Sequence, residues 1–166
     1  MHRGSGRLAQ ALGRKVSTQY IQATKTLELP RVRFGIGGVS FFPHDELTDE
    51  QVGYRGADWK EAWLVVARED ACGDPIFIDT ASEELPVFTA MHGAGAWEPK
   101  PVAPSLRKFS EALVFVQPFC AKRQHPVGLA ANPVSAAELA ELGNGLGGIL
   151  GVPLPSFWQT LFEFAP

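Results

Sequence analysis

The side chains able to do acid–base or metal chemistry are four histidines, two cysteines and eighteen carboxylates. His92 with Asp74 and Asp79 is the one set that suggests a hydrolytic or metal site, an imidazole base flanked by carboxylates. Its spacing argues against it. Positions 74 and 79 differ by an odd number, so in a regular strand the two carboxylates leave opposite faces and cannot share an ion. They read as a turn aspartate and a strand-end aspartate. His44, His92 and His125 have no HxH or HExxH spacing, and Ser82 and Ser105 lack the GxSxG context of a nucleophile elbow. Cys72 and Cys120 have no second cysteine or histidine at metal spacing, so they read as two ordinary thiols, with a disulfide between them as the alternative. Gly35, Gly37 and Gly38 form no GxGxxG or Walker pattern, and the glycine-rich stretch 143–151 has no lysine to hold a phosphate. No catalytic residue, cofactor-binding residue or metal ligand is assigned, no cofactor is expected, and the protein reads as a non-enzyme.

What remains are side chains suited to contact. Tyr54, Trp59 and Trp97 lie beside polar or glycine-rich loop positions, whereas Trp63 stands in an apolar run and reads as core. With Glu83, Glu84, Asp45 and Asp49 the three loop aromatics would make an acidic, aromatic patch. The candidate partner-binding set is Tyr54, Trp59, Glu83, Glu84, His92 and Trp97. Charge points the same way: residues 1–33 carry seven basic side chains and one acid, for +6, and residues 34–166 carry eight and seventeen, for −9. An acidic body repels nucleic acid and speeds encounter with basic partners. The basic start reads as a solvated segment, with a nucleic-acid or membrane-surface arm as the alternative.

These residues need elements to hold them. The 166 residues suffice for one domain with its own core. No apolar run approaches the roughly 20 residues that span a bilayer. No uninterrupted apolar stretch follows Arg3, Arg7, Arg14 and Lys15 as a secretory signal requires, so a reduced, cytoplasmic protein is expected. Residues 62–68, with the run AWLVVA, predict a strand buried on both faces. EDACGD is a turn, PIFID a second strand, and 85–91 a third whose Pro86 must sit at its start or on an edge. Together they predict a three-stranded meander. Residues 31–42 read as an extended stretch broken by glycines, followed by a polar turn or one helical turn over 44–51. Ser105 caps a predicted amphipathic helix with Leu106, Phe109, Leu113 and Phe115 or Val116 on its apolar side. Residues 118–133 read as irregular. Ser135 and Glu138 have capping-box spacing before a helix that the glycines of 143–151 should end. Ser156 caps a last apolar helix expected to dock on the core, and a short helix over 8–16 is the least supported element.

The ordered blocks QVGYR (51–55), WLVVA (63–67), GDPIFIDT (73–80), PVFTAMHGAGAWEP (86–99) and SLRKF (105–109) resemble the SUKH superfamily, in particular the branch of the fungal cell-wall-assembly and killer-toxin-resistance regulator. The similarity covers about residues 34–116. It implies an α+β domain, a mainly antiparallel curved sheet with helices packed on one face, here with a C-terminal helical extension. It also implies a non-catalytic role in binding partner proteins, since many bacterial members resemble immunity proteins that neutralise polymorphic toxins. The expected organisation is a poorly defined basic segment at 1–25, a SUKH-like core at 26–118, and a Pro/Gly-rich linker with C-terminal helices docked on the core at 119–166. The expected partner is a protein, in the leading reading a basic toxin domain. A regulatory scaffold of the same superfamily and an unrecognised small hydrolase are the alternatives. The LGxxLP motif that members commonly carry near the start is not found there; LGVPLPSFWQTLFE (150–163) resembles it at the opposite end and reads as a docking helix.

Overall fold

The structure, a computed structural model, describes residues 13–25, 31–54, 56 and 58–163. Six strands form where β-branched and aromatic residues concentrate: β1 (Arg31–Phe34), β2 (Gly37–Phe41), β3 (Trp63–Glu69), β4 (Pro75–Asp79), β5 (Val87–Thr89) and β6 (Lys100–Ala103). They pair antiparallel in sequence order into one sheet curled as a half-barrel. The helices are α1 (Arg14–Lys25), α2 (Leu47–Glu50), α3 (Leu106–Cys120), α4 (Pro126–Ala131), α5 (Ala136–Leu150) and α6 (Ser156–Phe162). The fold is α+β. The expected meander is its centre, β3 to β5, with Pro86 directly before β5. The glycine-broken stretch at 31–42 is a hairpin whose loop residue Gly35 takes a left-handed φ of 59°. β6 carried no signal in the sequence: its two prolines, Pro99 just before it and Pro101 within it, hide a short strand at the sheet margin.

Register assigns side chains to faces, because directly opposed residues share one. Phe41, Ala67 and Ile76 are opposed in turn, and the Phe41 ring lies 5.8 Å from Phe109 of α3. That is the helix-covered face. Val65, Phe77 and Phe88 are likewise opposed and occupy the other face. In β3 the register slips between Val65 and Ala67, leaving Val66 as a bulge. Gln51 completes the ladder there. Its side-chain amide accepts from Val65 N–H at 2.9 Å and donates to the carbonyls of Val65 and Leu47, both at 2.8 Å. The Val66 carbonyl accepts from Phe42 N–H at 3.1 Å and from the buried Tyr20 hydroxyl at 3.3 Å.

The first described helix is 14–25, directly after Gly13 at a left-handed φ of 73°, and the helix expected over 8–16 falls largely on residues outside the described part; Tyr20 is what ties α1 to the sheet. The ring is wholly buried and its hydroxyl donates to Phe42 O at 2.7 Å, an anchor that outweighs local propensity. α3 starts as expected, with Ser105 Oγ accepting from Lys108 N–H and with Leu106, Phe109, Leu113 and Val116 buried. It then runs through Pro118 to Cys120. A proline this close to the end removes one i→i−4 bond, that of Val114, whose side chain is on the exposed side. The passage 118–133 therefore holds the end of α3 and all of α4. Arg123, almost fully buried, ties it together by donating to the carbonyls of Phe119, Asn132 and Pro133 and to Glu138.

α5 has the complete capping box of Ser135 and Glu138, and of the glycines in 143–151 the helix runs through those up to 148 and ends only at Gly151, at a left-handed φ of 98°. An added Cβ at Gly145 would overlap the Phe115 ring, so the bare backbone lets α5 lie close against α3 while Leu142, Leu146 and Leu150 are buried. α6 departs in its cap: Pro155 stands at that position and Ser156 begins the helix without a capping bond. Trp158 buries completely, 6.1 Å from Phe109, and its Nε1–H donates to Val102 O of β6 at 2.8 Å.

Candidate functional site

Two loops carry aromatic side chains onto the sheet face away from α3. The loop 51–62, between α2 and β3, supplies Tyr54 and Trp59; the loop 90–99, between β5 and β6, supplies Trp97. Aspartate links them, since Asp58 Oδ2 accepts from Trp97 N–H at 2.7 Å. Ring centroids lie 5.5 Å apart for Tyr54 and Trp59, 5.9 Å for Tyr54 and Trp97, and 5.2 Å for Trp59 and Trp97. Below them Trp59 packs 4.9 Å from the fully buried Phe77 and 5.3 Å from Trp63, its Nε1–H donating to Trp63 O at 3.2 Å. Trp63 is core, as its place in the apolar run predicts.

Tyr54, Trp59 and Trp97 are each half-buried. Rings at these spacings touch one another and leave no gap for an inserted ammonium group, so they form a ridge for surface contact and not a cation cage. Burial raises the Tyr54 hydroxyl pKa, as does Glu50 nearby, while Arg68 opposes them; the tyrosine stays neutral and offers a hydroxyl donor at the rim. Lys60 Nζ sits 5.2 Å from the Trp63 ring centre. Both loops also expose a large apolar side chain, Val52 at 71% and Met91 at 60%. Rigid aromatic area beside exposed aliphatics is the composition of interface anchors.

The other candidates fall elsewhere. Glu83 and Glu84 stand on the β4–β5 loop at a groove of about 610 Å³ whose walls are α1 and α3, with Leu85, Leu106 and Val114 among its lining. His92 leaves the loop 90–99 but turns to Asp74, whose Oδ1 accepts from His92 N–H at 3.0 Å and lies 2.6 Å from Nδ1. Asp79 instead accepts from Ala81 N–H at 2.9 Å, so the imagined triad is half assembled. Among the described residues no three histidines, cysteines or carboxylates gather as metal ligands. Cys72 is exposed and Cys120 buried, both as free thiols, and burial pushes Cys120 up to about 12 against the pull of Arg123.

Gln51 was visible in the sequence only as part of the QVGYR block; a glutamine preceding an apolar strand carries no local signature for closing a bulge. Among the described residues no helix is long and apolar enough to cross a membrane. No family model, no curated protein and no solved structure matches the chain.

Proposed function

We propose that this protein is a non-catalytic protein-binding domain whose contact surface centres on Tyr54, Trp59 and Trp97, and that it acts as a SUKH-type immunity protein by covering a toxin's active surface. The observation that carries the reading is the half-buried three-ring ridge, presented by two loops that the Asp58–Trp97 bond holds together. Such rings supply large contact area at low conformational cost. The −9 charge of residues 34–166 favours a basic partner surface. Co-expression with a toxin domain encoded immediately upstream is the test. Growth should be restored by the native chain and lost with Trp59→Ala plus Trp97→Ser, at unchanged far-UV circular dichroism. Growth restored equally by the doubly substituted chain would remove the aromatic ridge from the account.

The His92–Asp74 contact favours a second reading, a small hydrolase in which the carboxylate orients the imidazole as base. Turnover of p-nitrophenyl acetate abolished by His92→Ala would select it over the binding reading.

A further inference from the structure

The geometry points to a second site: the groove between β1 and the C-terminal half of α3 accepts a short, acidic, extended segment of a partner protein as a seventh strand. β1 ends the sheet, and among the described residues nothing pairs with its outer edge. The opposite end is closed differently, since Trp158 donates to Val102 O of β6. Beside β1 lies a groove of about 650 Å³. Arg31, Val32 and Arg33 all line it, and consecutive strand residues point to alternate faces. A groove that meets all three therefore runs along the backbone edge, where unpaired N–H and C=O groups face outward. Its far wall is the end of α3, with Val114, Gln117, Pro118 and Cys120, continued by Ala121 just after the helix. The six helical steps from Val114 to Cys120, at about 1.5 Å each, and the three steps along a four-residue strand, at about 3.3 Å each, span similar lengths, so the groove holds about four residues of extended chain.

The groove is already set. Gly35 N–H, at the turn of the β1–β2 hairpin, donates to Arg123 O at 2.7 Å and fixes one end of the strand to the segment after α3. A preformed strand edge beside a helix is a known way to take up an extended peptide, with main-chain bonds giving affinity and side chains selectivity. Charge then names the occupant. Arg31 Nε donates to Ser40 Oγ at 2.8 Å, Ser40 donates to Asp70 Oδ1 at 2.6 Å, and Arg33 Nε lies 3.6 Å from Asp70 Oδ2. One buried carboxylate thus holds two guanidiniums that remain 45% and 35% exposed. His125 adds an imidazole at the groove, and no carboxylate is among its described lining residues. The net field favours an anionic segment. A second copy of this chain fits worse, because two β1 edges brought together crowd the like charges of Arg31 and Arg33 from both copies.

The test is fluorescence anisotropy of the full chain with a fluorescein-labelled octapeptide of alternating glutamate and valine, acetylated and amidated at its ends. Saturable binding is expected. The lysine-for-glutamate peptide, and a glutamate/valine peptide N-methylated at alternate residues on one edge, should each bind at least about tenfold more weakly, whichever edge is needed being found by methylating each in turn. Ala121→Trp, which fills the groove without touching the Asp70 cluster, should produce the same loss; were it to unfold the chain, the peptide comparison on the native protein still decides. No saturable binding, equal binding of both methylated peptides, or a dimer that protects the β1 amides without peptide would overturn the proposal.

Discussion

Toward α3, the sheet buries Phe41 against Phe109, and Trp158 closes the layer without any exposed atom. On the opposite face Phe77 is buried as fully, but what lies above it is a set of half-buried rings on two loops. Both faces are rich in aromatics, so composition alone does not separate them. The difference is in what supplies the cover: α1, α3 and α6 on one side, loop side chains on the other. A helix layer of this kind finishes a core, whereas a loop-borne ridge of Tyr54, Trp59 and Trp97 leaves apolar area in water.

The contrast makes quantitative demands. The largest effect belongs to the helix face: Trp158→Ala removes a fully buried ring and the Val102 hydrogen bond and should cost about 3–5 kcal/mol in urea unfolding. Trp59→Ala on the loop face should cost clearly less while abolishing partner binding; equal costs would mean that the ridge is core. Gln51→Ala follows, at about 2–3 kcal/mol, because Val65 loses its side-chain partners beneath the ridge. Gln51→Glu should be worse at neutral pH, since a carboxylate then faces the Val65 and Leu47 carbonyls. Gly145→Ala, remote from the ridge, should cost about 1–3 kcal/mol through Phe115 and leave partner binding intact.

The smallest effect is a matter of pH and belongs to the helix side alone. The hydrogen bond from Arg123 holds the Glu138 carboxyl down at about 2, aided by the Ser135 N–H. A depressed folded value means that this contribution is complete above the ordinary carboxyl value of 4.5 and is lost as pH falls towards 2. The melting-temperature gap between the native chain and Glu138→Gln should therefore narrow across that interval, and a constant gap would refute the coupling.

Much of this architecture was legible where periodicity and burial agree. The run at 62–67, the Ser105 cap and the Ser135–Glu138 box each depend on neighbours in sequence, and each appears in the structure as read. Where tertiary contact overrides a local rule, the reading failed. Glycine at 145 looks like a helix breaker until Phe115 is seen lying over it, and no local pattern shows that Tyr20 of α1 reaches Phe42 and Val66. The candidate site shows the same division. Polar or glycine-rich loop surroundings correctly mark Tyr54, Trp59 and Trp97 as partly exposed, but their convergence depends on the Asp58–Trp97 bond, across 39 positions of sequence. Glu83 and Glu84 share the acidic character of the patch and line a different groove, which no spacing rule reveals.

Amide hydrogen exchange of this chain, alone and with the proposed toxin partner, addresses the aromatic ridge most directly. Slowed exchange is expected, concentrated in residues 51–63 and 90–99. Protection confined to α4, α5 and α6, with the two aromatic loops unchanged, would contradict it.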